Sequence, residues 1–154
     1  MKKENKQFNL SNVRECTACA GFNTRKLNRV ITQIFDDAFK DIDFRSTQFT
    51  PLVMIFANGP ITVNKLSENL VMDRTTLGRN LKPLERDGLI KIEPGIDKRQ
   101  KLISITDKGI KLLNRAYPIW QKTQKKILNQ IGETNWQGML KEINTLLPKL
   151  QKVE

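Results

Sequence analysis

The chain contains no histidine, and among its 154 residues there are only two cysteines, one tyrosine and two tryptophans. Without histidine, the commonest general base and the commonest metal ligand are both missing. There is no glycine-rich phosphate loop, nucleophile elbow or zinc-ligand quartet. An enzyme would need carboxylate, lysine or cysteine chemistry, and no constellation of such residues points to one. The expectation is a protein that is not an enzyme and has no cofactor. Two cysteines are too few for a disulfide framework and fit a reducing compartment. No run of eighteen or more apolar residues occurs, which excludes a membrane-spanning helix. The lysines of Met1–Asn9 are not followed by an apolar stretch, so that segment does not read as a secretory signal. A cytoplasmic protein with no membrane association is expected, with one compact domain and helical extensions.

Positive charge, by contrast, is abundant. The formal net charge is +11, which calls for a polyanionic partner. It does not locate a site, because it is spread along the chain: +5 over residues 1–30, −2 over 31–61, +3 over 62–106 and +5 over 107–154. Nucleic acid is favoured over a membrane surface because no helix joins a strong basic face to exposed aromatics.

Residues 1–12 are polar and read as a frayed tail. From Cys16 to Phe39 the residues Leu27, Val30, Ile31, Ile34, Phe35 and Ala38 recur at three- and four-residue steps, the period of one long helix. A second helix is expected over Thr47–Ala57, with Pro51 near its first turn, stopped by Asn58-Gly59-Pro60. Thr62 is placed to cap a short third helix over Val63–Leu70. Asp73 is placed to cap a fourth, ending at Gly88 as a left-handed terminal residue. Leu89–Glu93 and Lys101–Ile105 form a hairpin with a charged tip. Thr106 caps a fifth helix closed by Gly132, and a sixth spans Thr134–Leu150. The fold class is therefore mainly α with a small β-hairpin wing: a winged helix-turn-helix domain with N- and C-terminal dimerisation helices. The expected boundaries are a flexible tail over 1–13, dimerisation helices over 14–45 and 107–154, and the winged domain over 46–106.

The fourth helix carries the chemistry. Leu77, Leu81 and Leu84 fall within about 60° of one another on a helical wheel. Thr75, Arg79, Lys82 and Arg86 occupy the opposite face, three cations and a hydroxyl with no acid among them. Such a face is a solvated charged surface on an ordinary helix, or it enters the major groove. There Arg pairs with guanine, and Thr meets thymine methyls or phosphate. The preceding turn and the following wing favour the groove. Base contacts are assigned to Arg74, Thr75, Thr76 and Arg79, and phosphate contacts to Lys65, Lys82 and Arg86. Gly78 is costly inside a helix but keeps the backbone free to approach DNA. Pro83 removes the hydrogen bond to the Arg79 carbonyl and is expected to kink the helix. On the wing, Asp97, Lys98 and Arg99 are assigned to a narrow minor groove, with Asp97 bracing the Arg99 guanidinium.

Met72-Asp73-Arg74-Thr75-Thr76-Leu77-Gly78-Arg79-Asn80-Leu81-Lys82-Pro83-Leu84-Glu85-Arg86-Asp87-Gly88-Leu89-Ile90 resembles the recognition-helix segment of MarR-family regulators. Asp97-Lys98-Arg99, followed by Leu102–Ile105 and Thr106-Asp107-Lys108-Gly109, resembles that family's wing signature. The sequence departs from the family at Gly78, where bulkier residues are usual. The resemblance implies a homodimer built on the first and last helices, with two winged domains on double-stranded DNA at a pseudo-palindromic operator. It also implies a small phenolic or lipophilic effector, or control by thiol oxidation. The apolar surplus of Tyr117, Trp120, Trp136, Leu147 and Leu150 independently asks for a partner chain. The expected function is a homodimeric sequence-specific regulator, a repressor released by a ligand or by thiol oxidation. The rival reading is a winged module that binds protein without sequence-specific DNA binding.

Cys16-Thr17-Ala18-Cys19 has the spacing of redox and metal sites. In the first turn of a helix such thiols are set to react as thiolates. A zinc site would have to form across a dimer, since the chain offers no further Cys or His. The remaining possibility is small apolar residues at a dimer seam. An effector pocket is expected near Phe22, Phe49, Met54 and Phe56.

Overall fold

Thr62, Asp73 and Thr106 each precede an apolar-periodic run, and each caps a helix by accepting a backbone N–H three residues on. The structure, a computed structural model, describes residues 8–97 and 99–153. Its elements in order are α1 (Leu10–Thr17), α2 (Ala20–Phe39), a 3-10 turn (Lys40–Ile42), α3 (Ser46–Asn58), β1 (Ile61–Thr62), α4 (Val63–Leu70), α5 (Arg74–Arg86), β2 (Ile90–Pro94), β3 (Lys101–Ile105), α6 (Asp107–Ile131) and α7 (Glu133–Leu150).

Three expectations need correction. Residues 10–13 are helical, within the segment expected to be a frayed, flexible tail, while residues 1–7 of that segment lie outside the described residues. Asn9 starts α1 by accepting the Ser11 N–H at 2.9 Å, while Asn12 accepts the Asn9 N–H at 2.9 Å. The single long helix is broken at Ala18–Cys19. Asn23 spans the break, its side-chain amide donating to the Thr17 and Cys19 carbonyls at 2.9 and 3.0 Å, so carbonyls freed by the break keep partners. The wing is also not a bare hairpin. β1 pairs antiparallel with β3 through Ile61–Ile103 and Thr62–Leu102, giving the sheet order β1-β3-β2. Pro51 lies inside α3 and is buried, one residue further from the helix start than expected because α3 begins at Ser46.

The core of the winged half is formed by Leu52, Ile55, Ile61, Leu66, Leu77, Leu81, Leu84, Ile90 and Ile103. An aromatic cluster joins this half to the long helices. Phe39 of α2 lies 5.6 Å from both Phe44 and Phe49, and Phe49 of α3 stacks on Trp120 of α6 at 6.0 Å. Such pairs add about 0.5–1.5 kcal/mol each beyond their buried area. The Ser46 N–H, donating to Asp36 at 2.7 Å, ties the start of α3 to α2.

The start of α6 is fastened to the end of α5. Gly88 (φ 69°) ends α5 in the left-handed region, as expected. The Thr106 hydroxyl donates to the Gly88 and Leu89 carbonyls at 2.7 and 3.1 Å and accepts the Gly109 N–H at 3.1 Å. A Cβ on Gly109 would sit 2.3 Å from the Leu89 carbonyl oxygen and 2.7 Å from Ile105 Cγ1. Only glycine fits there. Gly109→Ala is expected to destabilise the fold by about 1–3 kcal/mol or more through overpacking, read as a lower urea midpoint. Gly138→Ala, where a Cβ meets open space, is the control and should leave the midpoint unchanged or raise it.

Candidate nucleic-acid interface

A short turn separates α4 from α5. Val71 caps α4 in the left-handed region at φ 52°, an unusual position for a β-branched residue. The Val71 N–H reaches the Glu68 carbonyl at 3.1 Å, and the Met72 N–H reaches Ser67 at 2.9 Å. These bonds hold a conformation whose strain is of order 1–3 kcal/mol. Asp73 then starts α5, accepting the Thr76 N–H at 2.9 Å. Hydrogen bonds from Thr76, side chain first and then backbone, hold the Asp73 carboxyl below its ordinary value of 3.8.

Within α5, Leu77 and Leu84 are wholly buried and Leu81 nearly so. That packing turns Arg74, Thr75, Thr76, Arg79, Lys82 and Arg86 outward, and all six are exposed. Gly78 faces open space, with nothing within 4 Å of an added Cβ. No internal packing therefore requires glycine there. The helix continues through Pro83 to Arg86. Thr75, Arg79 and Lys82 form an exposed stripe with no ion-pair partner among the described residues.

The other assigned cations are engaged. Lys65 pairs with Glu68 at 3.2 Å. Arg86 Nε meets Asp87 Oδ1 at 2.9 Å, which raises the arginine and lowers the aspartate from their ordinary values. Both pairs are exposed and weak, so a phosphate can displace either acid. Arg45, at the start of α3, lines a cleft with Arg79, Asn80 and Pro83. Sequence reading missed it because a lone cation 34 positions from Arg79 carries no periodic signal.

On the wing, β2 and β3 pair from Ile90–Ile105 to Pro94–Lys101. Asp97 accepts the Arg99 backbone N–H at 3.0 Å. The expected brace of the Arg99 guanidinium is thus replaced by an Asx turn, in which the aspartate shapes the tip and leaves the guanidinium exposed. Lys98 lies outside the described residues.

The remaining candidates are not brought together as expected. Cys16 sits in the last turn of α1 and Cys19 at the N-cap of α2, both exposed and unpaired with each other. The expected helix-first-turn setting therefore holds for neither thiol. Among described residues no group of three or more His, Cys, Asp or Glu could hold a metal ion. Phe49 and Phe56 line a groove of about 250 Å3 with Val53, Leu113, Asn114 and Tyr117. Phe22 is half exposed on α2 and Met54 packs on the core, and neither lines that groove.

Residues 44–101 match the MarR family. MosR, a transcriptional regulator of M. tuberculosis solved in complex with DNA, is 31% identical and superposes with a TM-score of 0.79, over 88% of this chain and 99% of that one. The HTH-type transcriptional regulator YybA of Bacillus subtilis is 36% identical over 95 residues, and the aligned part spans 61% of each protein. The organic hydroperoxide resistance transcriptional regulator of the same species is 30% identical over 93 residues, which is 60% of this chain and 63% of that protein. The chain belongs to the MarR family.

The Asp73 cap has a pH signature. A carboxyl whose folded value is lowered adds stability above its ordinary value of 3.8 and loses it as pH falls through the lowered value. Wild type should therefore exceed Asp73→Asn in urea midpoint near neutrality, and the gap should narrow as pH is taken below 3.8. A gap that stays constant as the pH falls would remove the charged cap from the account.

Proposed function

We propose that the protein is a homodimeric, sequence-specific DNA-binding transcriptional regulator acting in the cytoplasm. It represses by occupying a pseudo-palindromic operator and leaves it when a small ligand binds or its thiols are oxidised. The observation that carries this reading is the unpaired Thr75–Arg79–Lys82 stripe, aimed outward by a buried leucine spine beside the wing. Arg74, Thr75, Thr76 and Arg79 take base edges, and Lys65, Lys82 and Arg86 take phosphates. Arg99, with Asp97 and Lys98, takes the minor groove. Further support is the 31%-identical MosR, which was solved with DNA.

The residues 14–45 and 107–154 serve as dimerisation helices around the winged domain 46–106. On α2, Phe22, Leu27, Val30 and Ile34 are exposed, and on α7 so are Ile143, Leu146, Leu147 and Leu150. α7 has no buried residue and packs chiefly on α6. A second copy covers these faces and sets the two recognition helices about one DNA turn, roughly 34 Å, apart. Release follows from any change in that spacing. The exposure of both thiols supports such a role. The Cys19 N–H donates to the Cys16 carbonyl at 3.2 Å, a tight turn that brings their Cα atoms within disulfide range, at the joint between two helices.

Arg79→Ala should cost about 1–3 kcal/mol on the selected operator and relax sequence preference. Lys82→Ala should weaken binding to all duplexes and lower the salt slope by about one unit. Fluorescence anisotropy on an operator selected from a random pool, with and without oxidant, measures both. Undiminished specific binding by Arg79→Ala would refute this register. In the same way, Leu147→Arg/Leu150→Arg should yield monomers by light scattering and weaken operator binding at least tenfold. Dimers of unchanged mass would place the interface elsewhere.

A further inference from the structure

Glycine inside a helix costs stability relative to alanine, so a glycine kept there needs a reason. At Gly109 the reason is internal, since a Cβ would collide with Leu89 and Ile105. At Gly78, in the middle of α5, there is none. An added Cβ would meet no atom within 4 Å beyond its own chain neighbours and helix backbone. The helix runs on past it in both directions, and Gly78 has no positive φ that would require glycine. Gly138 is equally unobstructed, but it lies on α7, outside the surface assigned to DNA.

The surroundings of Gly78 define a notch. Thr75 stands three residues before it and Lys82 four after it, so both project from its side of the helix, and both are exposed. The Gly78 backbone is inside α5, where its N–H and carbonyl belong to the helical ladder. The floor of the notch thus offers a visitor no hydrogen bond. Its flanks are the Thr75 side chain and the methylene stem of Lys82, whose charge lies at the far end of that stem. A phosphate or a polar base edge finds no partner on such a floor.

The major-groove edges of the bases carry one apolar feature, the C5-methyl of thymine. We infer that Gly78 seats such a methyl between Thr75 and the Lys82 stem, while Arg79 and the Lys82 ammonium take polar partners beside it. Gly78 is thereby a specificity-determining residue. It selects thymine through a side chain that is missing, because a methyl on the helix would occupy the space the base methyl needs. The assignment rests on the proposed DNA-binding function. It adds a thymine preference to the guanine preference expected of Arg79.

The test crosses one methyl group on the protein with one on the DNA. An operator is selected from a random pool with the full chain. Each thymine in its half-sites is then replaced in turn, symmetrically, by deoxyuridine, which lacks only the C5-methyl. Wild type and Gly78→Ala are titrated with every duplex by fluorescence anisotropy. At one thymine the replacement should weaken wild type by about fourfold per half-site, the worth of one buried methyl. Gly78→Ala should bind the thymine operator at least tenfold more weakly than wild type. That deficit should shrink to within twofold on the duplex carrying deoxyuridine at the same position. The urea midpoint of Gly78→Ala should rise, which separates lost recognition from lost folding. A deficit that is the same on every duplex means close approach to the DNA backbone instead, and it overturns the notch. The notch also fails if Gly78→Ala shows no deficit, or if no deoxyuridine weakens wild type. A lowered urea midpoint overturns it too, because the fold itself would then require glycine there. If the pool yields no preferred duplex, the DNA-binding reading fails and the notch with it, an outcome seen before any deoxyuridine is introduced.

Discussion

The outward face of α5 is set by the burial of its inward one. Burying a leucine contributes about 1.5–3 kcal/mol, so turning Leu77, Leu81 and Leu84 out of the core would cost roughly 5–9 kcal/mol. That is comparable to the whole stability of an ordinary domain. Rotation of the helix about its own axis is therefore forbidden while the fold persists. Thr75, Arg79 and Lys82 can be solvated and mobile at their tips, yet their direction is fixed by residues that never touch solvent. The Val71 turn fixes the second variable, the angle at which α5 leaves α4, at the expense of local strain.

A second constraint acts between the halves of the molecule. The stack of Phe39, Phe44, Phe49 and Trp120 joins α2, α3 and α6 across the joint, and the Asp36–Ser46 hydrogen bond pins one end of it. Aromatic contacts of this kind tolerate small slides better than a hydrogen-bonded ladder does. The joint is thus held by aromatic packing and one hydrogen bond rather than by a ladder of them. Cavities flank the same joint, one apolar beside Phe49 and one cationic beside Arg86.

Much of this was legible in the sequence because it is local. Thr62, Asp73, Gly88 and Thr106 mark helix ends through capping chemistry, and the leucine period of α5 marks its buried side. What escaped is what local patterns do not encode. β1 is two residues long, too short for any alternation, and exists because Ile61 finds Ile103 more than forty residues away. The break at Ala18–Cys19 lies inside a stretch of small residues where no period registers it, and Asn23 reaches backward across it. Asp97 was correctly placed at the tip, but its short side chain reaches a backbone amide more easily than a long guanidinium. The cationic cleft draws on residues from Ile42 to Arg115, brought together from separate stretches of the chain that no local pattern connects.

The contact at Gly109 gives the long helix a fulcrum. There α6 meets the backbone of Leu89, the residue just before β2, with the Ile105 side chain beside it. From that point α6 runs on for most of its 25 residues. At 1.5 Å per residue it is about 37 Å long, so a tilt of about 5° at the fulcrum swings the far end by roughly 3 Å. The missing methyl group thus makes α6 a lever. A side chain at Gly109 would push the start of α6 away from Leu89, and the far end of the helix would move further than the near one.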